Sequence, residues 1–384
     1  MSQAMEESKQ EVNSDATTSS RGTDTASAPP DSLKLHRKIN RYAAIFTPFM
    51  LVGAVGYATW VVVALLSGIT ILAIYSILFL AMVLCYARLI WTMFFDNGYV
   101  PLEPTNNHVG QYLNRSAIVH GSEKSPEGLD FFTSRPMFEC DIDGLPRWCN
   151  TCKIWKPDRS HHCSQVGRCV YKMDHFCPWA GGVVCETSFK FFIQFCCYAA
   201  LYCLFVLIVT AYSFTQLEDR NSFYGRNTAA TIGIATVFGL FSGCLGGQSL
   251  QFASKNTTTV DNLGHANKIY SFAVRCSVDA AETDVHTTRI TYPLDWKLRG
   301  NEAPPNAQTF RVWQTPVGYN PYDLGVGLEN LKTTMGYSVL DWLLPIRHSP
   351  STAFLKVKDG GEAGAQAMYK TRNAVEAIKP PTTV

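Results

Sequence analysis

The sequence predicts an α-helical integral membrane protein, with four transmembrane helices and a cytosolic, zinc-binding cysteine-rich domain between helices 2 and 3. The first observation behind this prediction is the distribution of charge along the 384 residues. Three long runs contain no charged side chain, and they lie between Arg41 and Arg88, between Lys190 and Glu218, and between Arg226 and Lys255. Each run exceeds the ~20 residues that cross ~30 Å of hydrocarbon as a helix. The second observation is a dense group of cysteine and histidine residues between the first two runs.

The first uncharged run is long enough for two crossings, so it predicts two helices joined by a tight turn at Ser67 and Gly68. The four predicted spans are residues 42–66, 69–94, 191–214 and 231–252. Helices buried in a soluble core are the alternative, but uncharged stretches of this length are rare outside membranes. Residues 1–30 are polar and rich in Ser and Thr, so they do not resemble a signal peptide.

The positive charges beside the spans predict their orientation. Lys34, Arg37, Lys38 and Arg41 precede the first span, the long middle loop is rich in Lys and Arg, and the short loops between paired spans are not. Both termini and the cysteine-rich domain are therefore expected in the cytosol. Thiols stay reduced there, so the clustered cysteines are expected to be metal ligands or catalytic groups rather than disulfides. The nearly balanced charge gives no sign of a nucleic-acid partner, and the lipid bilayer is the expected partner of the spans.

Composition divides the chain into six predicted regions. They are a disordered cytosolic tail (1–40), transmembrane helices 1 and 2 (41–95), the cysteine-rich domain (96–188), transmembrane helices 3 and 4 (189–252), a cytosolic C-terminal region (253–346) and a flexible tail (347–384). In the fourth span, Gly239, Gly243 and Gly247 are spaced to share one helix face, which favours close helix packing or room for a lipid chain. Trp342, with the two leucines that follow it, is typical either of the membrane interface or of a core contact.

The first cluster in the cysteine-rich domain has the character of a metal site. Its pattern is Cys149-x2-Cys152-x9-His162-Cys163-x5-Cys169, the spacing with which a short loop wraps a tetrahedral zinc ion. The domain has few aliphatic residues, and a bound metal supplies the stabilisation that a small hydrophobic core lacks. We therefore predict a structural zinc site.

The second cluster follows at once and has the character of a catalytic site. Asp174, His175 and Cys177 are an orienting carboxylate, a base and a nucleophile within four consecutive residues. A free cysteine is only slightly ionised at pH 7, and a neighbouring imidazole is the group that takes its proton. This cluster therefore predicts a thiol that attacks an electrophilic substrate.

Both clusters resemble motifs of the DHHC protein S-acyltransferases, the integral membrane palmitoyltransferases. The shared central motifs are Cys149-x2-Cys152, Lys156-Pro157-x-Arg159, His162-Cys163, Asp174-His175-x-Cys177-Pro178-Trp179 and the trailing Phe192. The peripheral motifs that agree are Asp96-Asn97-Gly98, Thr258-Thr259-Val260-Asp261 and Asn320-Pro321-Tyr322-Asp323-x-Gly325, the last leading to Asn330 and Gly336. The resemblance covers about residues 40–340. It implies that Thr258, Thr259 and Asn330 support the active site, and it places Asp261 where the family has Glu.

The zinc ligands are where the chain departs from the family. The family resemblance implies a cysteine-rich domain with two interleaved zinc sites, each of three cysteines and one histidine. In this chain one of the two sites is complete, at Cys149, Cys152, His162 and Cys169. The other site would fall on Cys163, Val166, Phe176 and Val183, where three ligands are replaced by apolar residues. A lone cysteine does not hold zinc, so we expect one zinc ion and a small hydrophobic cluster of Val166, Phe176 and Val183. Gly182, Cys185 and Ser188 also depart from the family pattern.

The resemblance implies a protein S-palmitoyltransferase that uses palmitoyl-CoA or a related acyl-CoA as donor. Cys177 would form an acyl-enzyme with the help of His175 and Asp174, and the acyl group would pass to a cytosolic cysteine of a membrane-associated protein. Phe176 replaces the second histidine of the family's tetrad, which is by resemblance a zinc ligand, so the catalytic residues remain. The family implies secretory-pathway membranes. A catalytically inactive membrane scaffold that binds partners through the zinc loop is the alternative.

Basic residues surround the zinc motif and have two possible uses. They are Arg147, Lys153, Lys156, Arg159, Arg168 and Lys172, against the single acid Asp158. They are suited to the phosphates of coenzyme A or to anionic headgroups, and a solvated surface is the alternative. A channel or transporter has no support, because no predicted span has a charged residue near its middle.

Overall fold

The computed structural model describes residues 30–65, 69–102, 115–119, 126, 128–276, 288–295 and 307–352. The predicted turn at Ser67 and Gly68, and most of the two predicted tails, lie outside the described residues. The chain forms two compact units. The first comprises the described residues within 30–98, Asp174–Val260 and Gly325–Thr352, and the second comprises those within Tyr99–Met173 and Asp261–Leu324. The six predicted regions stay a prediction.

The secondary structure is numbered along the chain. The helices are α1 (Pro30–Leu65), α2 (Ile69–Phe95), α3 (Arg115–Val119), α4 (Asp130–Thr133), α5 (Phe189–Gln216), α6 (Phe223–Ser254), α7 (Thr259–Asn262), α8 (Gly327–Met335) and α9 (Val339–Leu343). The strands are β1 (Met137–Cys140), β2 (Arg147–Cys149), β3 (Ile154–Lys156), β4 (His161–Cys163), β5 (Arg168–Val170), β6 (His175–Cys177), β7 (Gly182–Val184), β8 (Ser271–Cys276), β9 (Arg289–Tyr292) and β10 (Gln308–Gln314).

Within the described residues, four helices are long and apolar enough to cross a membrane, namely α1, α2, α5 and α6. This confirms the predicted fold class, a multi-pass α-helical membrane protein with a cysteine-rich region between its second and third spans. Helix α1 begins at Pro30, well before the predicted start at residue 42. The added turns carry Lys34, Arg37 and Lys38, and these charges led the sequence analysis to start the span after them. Lys and Arg are nevertheless good helix formers, so the helix extends beyond its apolar part. Proline is favoured in the first turn, where its missing N–H costs no hydrogen bond.

Helices α5 and α6 pack closely through glycines of α6. A Cβ atom at Gly239 would lie 3.1 Å from the Cβ of Cys203, and one at Gly243 would lie 3.9 Å from the Cβ of Ala200. The predicted close approach is therefore confirmed at these two glycines. It is wrong at Gly247, which faces open space, and Gly246 contacts α5 instead. At about 100° per residue, a position seven residues after Gly239 returns to the same face, whereas one eight residues later does not.

The core between the spans contains a polar group that is satisfied internally. Tyr75 of α2 donates a hydrogen bond to the Thr59 Oγ1 of α1 at 2.7 Å, and its hydroxyl lies 3.1 Å from that of Tyr202 on α5. Val62, Val206 and other apolar side chains surround these groups. Hydrogen bonds between helices are needed here because lipid offers no alternative partner.

The second unit contains an antiparallel sheet with strand order β1-β8-β10-β9. Its one strand from the cysteine-rich region, β1, pairs with β8 from the C-terminal region, so that Phe138 lies opposite Ala273. Phe138, Ala273 and Phe310 are fully buried in the core beside this sheet. The sequence analysis did not predict the sheet. Aromatic residues from two distant segments therefore form much of the core that the cysteine-rich region lacks alone.

Three two-stranded hairpins position the two clusters singled out in the sequence. Hairpins β2–β3 and β4–β5 lie in the second unit and carry the predicted zinc ligands. Hairpin β6–β7 lies in the first unit and carries His175 and Cys177.

Candidate active site and metal cluster

The hairpin β6–β7 fixes the backbone around Cys177. Its two strands are joined by a 3₁₀ turn, Pro178–Ala180, and then by Gly181, which has a φ of 77°. Proline suits the first position of the turn, and glycine adopts the left-handed conformation at its end without steric cost. Cys177 lies directly opposite Gly182 in this register. The local sequence Cys-Pro-Trp-Ala-Gly-Gly thus presents the thiol at the end of a strand.

Asp174 and His175 form a hydrogen-bonded pair whose carboxylate is held from a distant part of the chain. His175 Nδ1 lies 2.6 Å from Asp174 Oδ2. Thr259 donates to the same carboxylate twice, from its backbone N–H to Oδ1 at 2.8 Å and from its hydroxyl to Oδ2 at 3.0 Å. Asp174 is buried, with 3% of its surface exposed. These donors compensate the buried charge and fix the carboxylate in one orientation.

His175 links the carboxylate to the thiol, since its ring is hydrogen-bonded both to Asp174 and to Cys177. Burial acts against the charged imidazole, but the hydrogen bonds and negative charges of Asp174 and Cys177 outweigh it and raise the pKa of His175 to about 10. Phe192 packs against the imidazole with a ring-centroid distance of 5.3 Å. The arrangement favours a proton on the imidazole at neutral pH, and a thiolate beside an imidazolium is a reactive nucleophile.

The Cys177 thiol lies among apolar side chains of the spans. It belongs to a buried cluster with Leu89 and Met93 of α2 and with Ile193 and Cys196 of α5. The backbone beside it is held by the Tyr86 hydroxyl, which donates to the carbonyl of Trp179 at 3.2 Å. The sequence analysis did not single out Tyr86, because nothing local to α2 marks a residue that contacts the hairpin. A thiol in this position is suited to a substrate with an apolar chain.

The three residues that depart from the family pattern downstream of Cys177 are accommodated by their neighbours. Gly182 leaves room for Met93, whose Sδ would lie 3.1 Å from a Cβ at that position. Cys185 packs against Gly98, where an added Cβ would lie 2.7 Å from its Sγ. The Ser188 hydroxyl accepts the Cys185 N–H at 3.0 Å and donates to the carbonyl of Val183. The loop after the hairpin is therefore tied down despite these changes.

Asp96 and Asn330, from two of the peripheral motifs, lie in the same unit as Cys177. The carbonyl of Asp96 accepts a hydrogen bond from the Thr187 hydroxyl at 2.6 Å, which joins the end of α2 to the loop before α5. Asn330 of α8 is fully buried and donates from Nδ2 to the carbonyl of Ser254 at 2.9 Å, at the end of α6. Asn330 supports the end of α6, whereas Thr259 contacts Asp174 directly.

The predicted zinc ligands lie together in the second unit. Cys149, Cys152, His162 and Cys169 each offer a ligand atom, and these atoms all lie within 4.8 Å of one another. His162 is opposite Cys169 in hairpin β4–β5, and its Nδ1 faces the other hairpin, 3.2 Å from Cys152 Sγ and 3.6 Å from Cys149 Sγ. The Cys152 N–H donates to Cys149 Sγ at 3.3 Å, a bond typical of a turn that presents thiolates.

The donor set fits a zinc ion. Zinc bonds of ~2.3 Å to sulfur in a tetrahedron place ligands about 3.7 Å apart, and structural sites use three cysteines and one histidine. The hydrogen bonds from Cys169, His162 and the Cys152 backbone outweigh burial and lower the pKa of Cys149 below its ordinary value. That thiol is thus ready to bind a cation as thiolate.

The predicted second site has a different character. Within the described residues, the cluster of four is the one group of donors close enough to hold a metal. Cys163 is buried. Phe176 and Val183 lie directly opposite each other in hairpin β6–β7. Their contact with Val166, and the loss of the second zinc ion, stay predictions.

Two of the basic residues form ion pairs with buried carboxylates. Arg147 pairs with Glu139, which is buried, and Arg159 donates from Nε at 3.1 Å and from Nη2 at 2.5 Å to Asp261 Oδ2. Burial acts to raise the pKa of Asp261, but Arg159 and Lys268 outweigh it and hold that pKa well below its usual range. For Arg159, which is 8% exposed, a solvated surface is therefore wrong, and phosphate or headgroup binding by the basic residues stays a prediction.

Fold and site together define a class of protein. It is a multi-pass membrane protein in which a thiol, an imidazole and a carboxylate meet beside the spans, and in which a Cys3His cluster lies in the region between spans two and three. This combination suits a protein that transfers apolar groups through a reactive thiol.

Comparisons with known proteins agree with this class. The profile of the DHHC palmitoyltransferase family matches residues 143–265. Palmitoyltransferase pfa5 of Aspergillus fumigatus is 33% identical over 82% of this chain and 86% of its own length. Palmitoyltransferase pfa5 of Emericella nidulans is 32% identical over 82% of each chain, and palmitoyltransferase ZDHHC15 of Rattus norvegicus is 26% identical over 80% of this chain and 77% of its own.

The chain therefore belongs to the DHHC palmitoyltransferase family. As a member it is an enzyme, a palmitoyltransferase, and the predicted resemblance is confirmed.

Proposed function

We propose that the protein transfers a long-chain acyl group from acyl-CoA to cysteine thiols of other proteins, through an acyl-enzyme on Cys177. The observation that carries this proposal is the chain of contacts from Thr259 through Asp174 and His175 to Cys177. Membership of the palmitoyltransferase family indicates that the transferred group is a long acyl chain, and the chain's own residues indicate the nucleophile. Palmitoyl-CoA is the proposed donor.

In the first step, the Cys177 thiolate attacks the carbonyl carbon of the acyl-CoA thioester. A new carbon–sulfur bond forms, the bond to the coenzyme's sulfur breaks, and the departing thiolate takes the proton from the His175 imidazolium. Asp174 holds Nδ1 of the ring, so that Nε2 is the nitrogen that exchanges protons with sulfur. The apolar neighbours of Cys177 on α2 and α5 suit the fatty chain, while the coenzyme stays in water.

In the second step, a cysteine of the protein substrate takes the place of coenzyme A. His175 accepts its proton, the resulting thiolate attacks the acyl carbonyl, and Cys177 leaves as thiolate. The products are an S-acylated protein and the enzyme in its starting ionic form. The two steps use the same residues in opposite roles. His175 donates a proton in the first step and accepts one in the second, and Cys177 is first the nucleophile and then the leaving group.

We propose that one zinc ion is held by Cys149, Cys152, His162 and Cys169. When bound, it crosslinks hairpins β2–β3 and β4–β5 and stabilises the fold without entering the reaction. We further propose that both termini and the cysteine-rich region face the cytosol of secretory-pathway membranes. The basic flanks of the first span support this orientation. The substrates are then membrane-associated proteins with cytosolic cysteines.

The acyl-enzyme is the feature to test. Purified full-length protein incubated with palmitoyl-CoA is expected to acquire a hydroxylamine-labile acyl group on the peptide that contains Cys177. Cys177→Ser is not expected to acquire it, and Cys185→Ser, a nearby buried cysteine, serves as the matched control. An unlabelled wild type with bound zinc would instead support the inactive scaffold.

A further inference from the structure

The first turn of α5 contains a cation with no hydrogen-bond partner in the part of the chain that the structure describes. Lys190 is 0% exposed, and its Nζ makes no hydrogen bond. Its neighbours Phe189, Phe191 and Ile193 are also buried. A buried charge without a partner is one of the most costly arrangements in a protein interior. An acyl-transfer mechanism at Cys177 makes no use of this lysine.

The surroundings of Lys190 leave a surplus of positive charge. The charged groups whose fields reach it are Asp341 and Arg347. The carboxylate of Asp341 already accepts the N–H of Ser338, whereas Arg347 is exposed. Lys190 and Arg347 thus place two positive charges against one negative charge. The N-terminal end of helix α5 adds the positive end of its dipole, which disfavours a lysine there and favours an anion.

Gln194 fixes the geometry of this region. It lies one helical turn after Lys190, and its Nε2 is within hydrogen-bond distance of the carbonyls of Asp341, Trp342 and Leu344. Its Oε1 has no partner among the described residues. A water between Oε1 and the Lys190 ammonium would give each atom one hydrogen-bond partner. It would leave the charge uncompensated, so the electrostatic argument still requires an anion.

The neighbouring segment indicates where the anion comes from. Val339, Leu340, Leu343, Leu344 and Ile346 are all exposed, at the end of a span and next to Arg347. A run of exposed apolar side chains beside membrane helices is suited to the boundary between headgroups and acyl chains. We infer that Lys190 and Arg347 form a binding site for the phosphate group of an anionic membrane phospholipid, whose acyl chains lie along the exposed apolar residues 339–346.

Lipid binding to the purified full chain tests this inference. Native mass spectrometry in detergent would count phosphatidic acid or phosphatidylcholine bound to wild type, Lys190→Met and Arg347→Gln, with Arg226→Gln as the control for an exposed arginine at the other end of the spans. One charge near a membrane surface contributes about fivefold in affinity, and a desolvated charge about tenfold or more. We expect these losses for phosphatidic acid in the two site variants, no loss in the control, and no change with phosphatidylcholine. Equal binding by wild type and both site variants would overturn the inference.

The thermal stability of each variant, measured with and without lipid, is a second test, and it also shows whether the variant folds. In phosphatidylcholine alone, Lys190→Met should be at least as stable as wild type, because it removes an uncompensated charge. Phosphatidic acid should then raise the Tm of wild type and leave that of the variant unchanged. Displacement of bound lipid by coenzyme A or by inorganic phosphate would show that the site takes a soluble phosphate instead. Cys177→Ser should bind the lipid like wild type, which separates this inference from the proposed acyl transfer.

Discussion

Asp174→Asn is the sharpest perturbation of the proposed site, since it removes one charge and changes little else in shape. In the wild type, Asp174 accepts hydrogen bonds from Thr259 and from His175 Nδ1. An amide group at that position presents an N–H to the imidazole. Nδ1 must then accept, which moves the ring proton to Nε2 and leaves no free nitrogen to take the Cys177 proton.

The magnitude follows from the pKa of His175. A rise from 6.5 to about 10 corresponds to ~5 kcal/mol in favour of the charged imidazole. Asp174 and Cys177 share this effect, and the ring is 30% exposed. Assigning Asp174 somewhat less than half gives ~2 kcal/mol, or about a thirtyfold smaller equilibrium constant for the ion pair relative to the neutral pair.

Alkylation of Cys177 by iodoacetamide measures this loss, because the thiolate is the reacting form. Peptide-level mass spectrometry from pH 6 to 10 separates Cys177 from the other cysteines. We expect slower alkylation at pH 7 in the variant, by at most about thirtyfold. The charged imidazole should also be lost at a lower pH than in the wild type, where it persists up to about pH 10.

The same shift gives a stability prediction with a definite sign. The stability that the raised pKa of His175 contributes is fully present below pH 6.5 and is lost as pH rises through about 10. Asp174→Asn should flatten this dependence in chemical denaturation. Asp219→Asn, in the exposed loop between α5 and α6, is the control. Unchanged alkylation and an unchanged pH profile in Asp174→Asn would refute the proposed role of the carboxylate.

Three further changes have defined outcomes. Thr259→Val removes one of the two donors to the catalytic carboxylate and should slow acyl-enzyme formation about tenfold, since a hydrogen bond to a charged group contributes ~1.5–3 kcal/mol; an unchanged single-turnover rate would contradict this. Elemental analysis should find one zinc per chain, and Cys149→Ser should lower Tm and zinc content far more than Cys163→Ser; two zinc ions per chain would show the single-site prediction to be wrong. Asp261→Asn removes the carboxylate charge that pairs with the buried Arg159 and should lower the unfolding free energy by about 3–5 kcal/mol. Asp261→Glu, which keeps the charge, should lower it much less.

The membrane part of the fold was predictable because a span is a local property. The uncharged runs identified four helices, and errors arose at ends such as Pro30, where charged residues continue a helix beyond its apolar part. The contact of Gly246 rather than Gly247 likewise depends on helix periodicity, which spacing by four residues only approximates.

The sheet was not predictable in the same way. Alternating residues in β10, where Phe310 and Val312 point to the core, are a strand signal, but the sequence does not say which strand pairs with it. The pairing of β1 with β8 joins segments more than a hundred residues apart. Ion pairs such as that of Arg159 with Asp261 are equally non-local, so a basic residue read alone resembled a surface charge.

The reactive cluster itself was visible because its members are adjacent in sequence. Asp174, His175 and Cys177 needed no tertiary information to be grouped. The structure adds Thr259, which the family resemblance had marked only as a support, and Tyr86, which nothing in the sequence marked.

The position of Thr259 has a consequence for biosynthesis. This residue is made 85 residues after Asp174 and follows the last span directly. While the ribosome is still translating α6, the carboxylate that contacts His175 has neither of its threonine hydrogen bonds. The hydrogen-bonded group around Asp174 is therefore complete only after the last span has been synthesised.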